Sequence, residues 1–277
     1  MEEYDSNTLR KILVEIAGEV AGYMRDIAGT EGLDEILHVG ASGDQTRRAD
    51  RVAEDIAIEL IKHEKIPAKI VTEESGIIKI TDKPEYVIVI DPLDGSMNYV
   101  SLIPFAAVSI AIAPMDSPYF SRLIAGAIAN IFLGEIYSFS SDKIWVDNIY
   151  YQGSGKSMGS IIVYTNNPKF FKILDRFIHD IPGYRLRILG SASLELAYVG
   201  LDRVSMFYND TGKLRNVDIA AAAGFVVRAG YTVVDINGSN IEFRVDGLYR
   251  VNSLIAGKGE LIEKFLMYLR KHEYLLN

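Results

Sequence analysis

Apolar positions recur at two spacings along this chain, and the changes from one spacing to the other divide it into elements. Over residues 9–27, Leu9, Ile12, Leu13, Ile16, Val20, Tyr23, Met24 and Ile27 return every three or four positions. That period predicts an amphipathic helix, begun by the cap-rich cluster Asp5-Ser6-Asn7-Thr8. Residues 38–48 carry no apolar period, and Gly40, Ser42, Gly43 and Asp44 predict a flexible loop. A second helix is predicted over 49–63, with Val52, Ile56, Leu60 and Ile61 turned inward. Short β-branched runs predict strands over 69–72, 77–80 and 86–90, and a mostly antiparallel series follows over 105–113, 123–129, 135–140 and 143–147. Residues 150–159, rich in glycine and serine, read as a linker. Beyond it, strands over 160–165, 185–189, 203–208 and 231–236 alternate with helices over 168–179, 192–201, 217–229 and 260–271. Such alternation predicts layered α/β structure.

The stretch over 86–99, YVIVIDPLDGSMNY, is the one around which the rest is arranged. Its five leading residues read as a strand buried on both faces and ended by Asp91. Asp-Pro and Asp-Gly mark a turn at the carboxyl end of that strand, where α/β sheets bind ligands. Asp91 and Asp94 would then face one crevice. Gly95 allows a ligand close to the backbone, and the amides of Gly95 and Ser96 could receive an anion. Carboxylates for a hard cation beside amides for a phosphate suit metal-assisted phosphoryl chemistry. Other polar spots are ambiguous when taken singly. Asp50 and Asp218 each begin a predicted helix, where the dipole alone favours an acid. Glu73-Glu74-Ser75 is either a polar turn or a second source of carboxylate at a neighbouring strand end. Gly190-Ser191-Ala192-Ser193 is either a plain N-cap or a ligand-facing turn.

Composition narrows the class without selecting a substrate. The 277 residues have room for one large domain or two lobes, and 49% hydrophobic with 24% charged residues is ordinary for a soluble globular protein. A net charge of −8 argues against a generic nucleic-acid binder. Cysteine is absent, which excludes disulfides, a thiolate nucleophile and a zinc–thiolate site, and fits a reducing cytoplasm. The acidic N-terminus lacks the pattern of a signal peptide, and the longest apolar stretch, 105–114, is too short to span a membrane. The histidines His38, His63, His179 and His272 show no ligand spacing. The GSGK of 153–156 lacks the glycine spacing of a P-loop.

What the single motifs leave open, their order narrows. DQTRRAD at 44–50, EES at 73–75, DPLDGSMNY at 91–99, GSAS at 190–193 and VDIAAAAG at 217–224 occur in one sequence along the chain. This order resembles the inositol monophosphatase / fructose-1,6-bisphosphatase superfamily of metal-dependent sugar phosphatases, and the KLRNVDIAA context most resembles its archaeal dual-activity members. The resemblance implies a layered αβαβα sandwich. Its active site would lie between an N-terminal α+β lobe (1–155) and a C-terminal α/β lobe (156–277). It implies Mg²⁺ as cofactor, with Glu73, Asp91, Asp94, Asp218 and the carbonyl of Leu93 as ligands. Asp50, Glu73 and Ser96 would be catalytic, Asp50 hydrogen-bonding the Ser96 hydroxyl that positions the attacking water. Gly95 and Ser96 would cradle the phosphate. Gly190, Ser191 and Ala192 would touch the sugar or polyol. Arg187 and Arg215 lie near these motifs and could meet a second phosphate, whereas Lys213, also near, reads rather as a surface cation.

The reaction so implied is hydrolysis of a phosphate monoester, inositol monophosphate or fructose 1,6-bisphosphate or both, by direct attack of metal-activated water. A 3′-phosphonucleotide phosphatase on the same fold and a non-catalytic binding relative are the alternatives. An aspartyl-phosphate enzyme of the haloacid dehalogenase type fits less well, because its acids stand two residues apart and Asp91 and Asp94 stand three apart. The implied partners are a small phosphorylated sugar or polyol and a second copy of the chain or more, with no nucleic acid and no membrane, in the cytoplasm. Three departures bear on substrate. Val217 stands where inositol monophosphatases commonly have Trp, Thr211 where animal enzymes have Glu, and Ser42 where some archaeal relatives have Asp, with Asp44 near enough to substitute.

Overall fold

Asp5 accepts hydrogen bonds from the backbone N–H groups of Asn7 and Thr8, at 2.8 and 3.1 Å, and so starts α1 (Ser6–Ile27). The computed structural model describes residues 4–41, 43–153 and 159–272. After α1 come the hairpin β1 (Ile36–Val39) and β2 (Gln45–Arg47), α2 (Arg48–His63), β3 (Ala68–Thr72), β4 (Gly76–Lys79) and β5 (Tyr86–Asp94). The short α3 (Ser96–Val100) leads into β6 (Ala107–Pro114), β7 (Ala125–Asn130), β8 (Ile136–Phe139), β9 (Ile144–Val146) and β10 (Ile149–Tyr150). Then follow β11 (Ser160–Tyr164), α4 (Pro168–Asp180), β12 (Arg185–Arg187), α5 (Ala192–Gly200), β13 (Met206–Asn209) and β14 (Leu214–Arg215). The chain continues with α6 (Asn216–Arg228), β15 (Thr232–Val234), β16 (Arg250–Val251), β17 (Leu254–Gly257) and α7 (Gly259–Lys271).

An eight-stranded sheet runs in the order β10-β9-β8-β7-β6-β5-β3-β4, antiparallel except where β3 lies parallel to β5. A five-stranded sheet runs β12-β11-β13-β17-β15, with β12, β11 and β13 parallel. Alternation along β5 assigns its two faces. Ile88 and Ile90 pack with α1 and α2, whereas Val87 and Val89 pack into a core shared with α5 and α6. That second core also takes Ile162, Phe207 and Ala256 from the five-stranded sheet, so α5 and α6 are sandwiched between the sheets. On the far side, Phe170, Phe177 and Phe265 of α4 and α7 cover Ile161, Met206 and Ile255. The layers are therefore helix, sheet, helix, sheet, helix, the αβαβα sandwich expected.

Several local expectations need correcting. Residues 38–48 are not loop throughout: 38–39 and 45–47 belong to the antiparallel hairpin of β1 and β2, and Gly40, Gly43 and Asp44 lie in the connection between the two strands. All four residues of β1 are exposed, so no buried alternation marks it. The hairpin is tied to the turn after β3, where Ala41 N–H donates to the Glu74 carbonyl at 2.8 Å and the Thr46 hydroxyl donates to the Glu74 carboxylate. Ser42 lies outside the described residues, as do 154–158, on which the lobe boundary and part of the expected linker fall. β17 was not expected. It is only four residues long, all buried in mid-sheet, so it shows neither alternation nor length. β5 does not stop at Asp91. Asp91 pairs with Ser109 and Asp94 with Ala107, so three steps on β5 match two on β6 and a bulge lies between.

Candidate active site

That bulge aims the two aspartates. Pro92 has no N–H to give the ladder, and Leu93 N–H donates instead to the Asp91 carboxylate at 3.0 Å. The neighbouring strand end is held from α2. Glu54, fully buried, accepts from Thr72 Oγ1 at 2.8 Å, Ser75 N at 2.9 Å and Ser75 Oγ at 2.6 Å. This pins the turn that carries Glu73. At the start of α6, Asp218 accepts from the Arg215 N–H at 2.8 Å. The three elements thus bring Glu73, Asp91 and Asp218 together, with one carboxylate oxygen of each within 4.8 Å of the other two.

Such a cluster is costly by itself. Burial pushes the Asp91 and Asp218 carboxyls well above the usual carboxylate range, and the neighbouring acids push them further. Burial also lifts Glu73 to about 7, against the pull of the Arg215 guanidinium. Asp218 Oδ1 is buried with no hydrogen-bond partner. Converging oxygen donors, one of them unsatisfied, fit a hard divalent cation such as Mg²⁺.

Asp94 faces the same region but is engaged differently. Its carboxylate accepts from Ser191 Oγ at 2.5 Å, Ser193 N at 2.7 Å, Ala192 N at 3.3 Å and the Ser193 hydroxyl. Asp94 is therefore turned to the start of α5, outside the close trio. The same bonds correct the expectation for Ser191, which is fully buried and holds Asp94 rather than lining open space. Gly190 and Ala192 do line the cleft.

Asp50 lies beside Ser96. Its carboxylate accepts from Arg47 N–H at 2.7 Å, and burial lifts it to about 6 although the Arg47 N–H and the nearby Ser96 hydroxyl pull it down. Gly95 caps α3 with φ of +88°, and a Cβ there would stand 3.0 Å from the Phe105 carbonyl and 3.1 Å from that of Gly190. Asn98, one turn on, donates to the Phe105 carbonyl at 2.9 Å and the Leu189 carbonyl at 2.6 Å, joining α3 to the Leu189–Gly190 turn.

Of the two arginines expected at a second phosphate, Arg215 is buried among the acids and Arg187 lies outside the cleft. Arg215 is 7% exposed, and its guanidinium pairs with Glu73 at 2.5 Å and with Asp44. Arg187 is exposed, donates to the Leu186 carbonyl at 2.8 Å, and lines a separate pocket with Gly183 and Tyr184. The cleft beside the acids, about 390 Å³, is lined by Asp94, Asp218, Tyr164, Asn166, Gly190, Ala192, Asn209, Thr211, Lys213 and Leu214.

Two residues that shape this site were not anticipated, Glu54 and Glu195. Glu195 is fully buried and accepts from Leu189 N at 2.7 Å and Tyr164 Oη at 2.8 Å, and burial raises it to about 8. It fixes the Gly190 turn from below. A signal existed for Glu54. Ala49, Ala53 and Ala57 repeat every four residues and are all buried, with Asp50 and Glu54 alongside them on the same face. Val52, Ile56 and Leu60, expected inward, are only partly buried at its edge.

Comparisons with known proteins agree over nearly the whole length. The model of the inositol monophosphatase family matches residues 5–274. An inositol-1-monophosphatase from Aeropyrum pernix is 34% identical over 271 residues, covering 94% of this chain and 96% of that protein. A fructose-1,6-bisphosphatase/inositol-1-monophosphatase from Methanothermobacter thermautotrophicus is 32% identical over 283 residues, covering 97% and 99%. Among solved structures, a Pyrococcus horikoshii protein described as having similarities to inositol-1 monophosphatase gives a TM-score of 0.77 at 27% identity, covering 95% and 99%.

Proposed function

Because the chain belongs to the inositol monophosphatase family, we propose that it is a Mg²⁺-dependent phosphatase of small phosphorylated sugars or polyols. The observation that carries this reading is the cluster of Glu73, Asp91 and Asp218, drawn from three separate motifs to within 4.8 Å. These three carboxylates would hold the cation, with Asp94 and the Leu93 carbonyl completing its surroundings. The ion, when bound, supplies an acidified water and neutralises charge on the ester. The chain's own groups do the rest. Ser96, oriented by Asp50, holds the attacking water through its hydroxyl. Water oxygen bonds to phosphorus, the ester P–O bond breaks, and the leaving oxygen takes up a proton. Asp50, held at about 6 by burial and lying beside Ser96, is the acid placed to receive the proton that water loses. Gly95 and Ser96 present their backbone to the phosphate. Gly190 and Ala192 border the organic part of the ester.

Among the described residues no helix is long and apolar enough to cross a membrane. We place the enzyme in the cytoplasm as a homodimer or higher homo-oligomer, the arrangement implied by its motifs.

Phosphate release from inositol 1-phosphate, fructose 1,6-bisphosphate and 3′-phosphoadenosine 5′-phosphate, each with Mg²⁺ and with EDTA, tests the reading. Release from one or both of the first two, abolished by EDTA, is the expected result. Release only from the nucleotide replaces the substrate class, and release in EDTA removes the metal from the mechanism.

A further inference from the structure

We propose that Glu195 is a positioning residue that sets recognition of the organic part of the ester, by fixing the orientation of the Leu189–Gly190 peptide in the cleft wall. The proposal rests on the phosphatase reading and deepens it.

Glu195 lies behind that wall, fully buried in the first turn of α5. Its Oε1 accepts from Leu189 N at 2.7 Å, Gly190 N at 3.3 Å and Tyr164 Oη at 2.8 Å. Tyr164, the last residue of β11, accepts in turn from Gly190 N at 2.8 Å. Both N–H groups of the turn are thus drawn into the protein. A planar trans peptide points its carbonyl away from its N–H. The Leu189 carbonyl is accordingly turned the other way, where it accepts from Asn98 Nδ2 at 2.6 Å. One peptide is gripped from both sides.

Gly190 leaves that grip no slack. Its φ is +90°, and a Cβ there would stand 2.8 Å from Asn98 Nδ2. It is exposed and lines the cleft beside Ala192. A wall of glycine backbone has no side chain with which to adapt, so its fit to a ligand depends on what holds the peptide. The second carboxyl oxygen, Oε2, is buried with no hydrogen-bond partner among the described residues. An acid kept in that state weakens the fold, and its use lies in the turn that Oε1 holds. Burial raises the carboxyl to about 8, so near neutral pH glutamine copies both its shape and its charge.

The phosphate end of the site is anchored independently. Asn98 also donates to the Phe105 carbonyl at 2.9 Å, and Tyr99 Oη donates to the Met24 carbonyl at 2.6 Å. α3, and with it Ser96, keeps its place when the turn relaxes. Loss of Glu195 therefore weakens the hold on a polyol and spares the phosphate.

The test compares Glu195→Leu, Glu195→Asp and Glu195→Gln with the parent in Mg²⁺. The esters are inositol 1-phosphate, fructose 1,6-bisphosphate and phenyl phosphate, the last with no hydroxyls for the wall to meet. For each polyol ester that the parent hydrolyses, KM rises about tenfold or more in Glu195→Leu and Glu195→Asp, while kcat stays within about threefold. Both constants for phenyl phosphate hold, and Glu195→Gln behaves as the parent. Should Glu195→Leu fail to fold, the Asp and Gln variants carry the comparison, because the aspartate is one methylene too short to reach the turn. Calorimetric titration with the same esters runs in parallel. A parent that hydrolyses no polyol ester ends the phosphatase reading alone, and a loss of polyol-ester binding confined to the Leu and Asp variants still upholds this proposal. Equal losses for polyol esters and phenyl phosphate, unchanged KM and binding, a Gln variant as weak as the Leu variant, or a parent that binds no polyol ester overturn it.

Discussion

Asp218→Asn reduces phosphate release by at least about 10³-fold, while the metal-free variant melts at a higher temperature than the parent. Both effects have one origin. Asp218 brings charge to a buried trio, and its Oδ1 has no hydrogen-bond partner. Asparagine has nearly the same volume, and its oxygen can still accept from Arg215 N–H, so the start of α6 is kept. Removing a dipole-favoured acid from a helix start costs about 0.3–1 kcal/mol. Relief of repulsion among buried carboxylates outweighs that cost, because burial has already raised all three. A turnover assay and differential scanning calorimetry in EDTA check the two halves together. Loss of activity with a lowered melting temperature would mean that Asp218 is a structural residue. Asp94 is a poorer choice for this test, since donors from Ser191, Ala192 and Ser193 already surround it and an amide there would disturb α5.

In EDTA the protein loses stability as pH rises from about 4.5 to about 7, and Mg²⁺ restores the part of that loss that comes from Glu73. The sign follows from the direction of the shifts. Glu73 moves from 4.5 to about 7, Glu74 from 4.5 to about 7, and Asp50 from 3.8 to about 6, each mainly by burial. Between the unfolded and folded values the folded chain binds more protons than the unfolded one. Stability from these groups is therefore complete below the unfolded values and is lost as pH passes the folded ones. A bound cation takes the place of the protons on Glu73, so Mg²⁺ stabilises more at about pH 8 than at about pH 5. Melting temperatures over that range with and without Mg²⁺ decide the matter. A metal-free protein that gains stability up to neutral pH would contradict the burial of these acids.

How far the sequence reveals this molecule depends on where each signal is stored. The strong periods are local: α1, the central strand β5 and the helices of the second half follow from spacing and caps. The acids were found as well, because the order of five motifs carries more information than any one of them. What was not legible is set by tertiary structure. β17 is too short to show a pattern and exists because β13 and β15 flank it. The fate of Arg215 depends on a partner 142 residues away, Glu73, and no local spacing could pair them. Glu195 was passed over because a glutamate in an apolar helix has no meaning until Leu189 N–H and Tyr164 are seen above it. Asp94 was placed in the crevice by the turn after β5 and by its motif, and the serines that turn it toward α5 were read as caps or substrate contacts. The bonds of Arg215, Glu195 and Asp94 are polar and most of them join distant parts of the chain, and hydrophobic periodicity does not encode them.

The proposal stands or falls on what Glu73, Asp91 and Asp218 hold. Crystals soaked in Mn²⁺, a stand-in for Mg²⁺ with a measurable anomalous signal, give the most direct measurement. An anomalous peak bounded by carboxylate oxygens of all three residues, and lost in Asp91→Asn, is the predicted result. A peak at another site, or none at a Mn²⁺ concentration that supports turnover, would contradict the assignment of these acids as the metal centre.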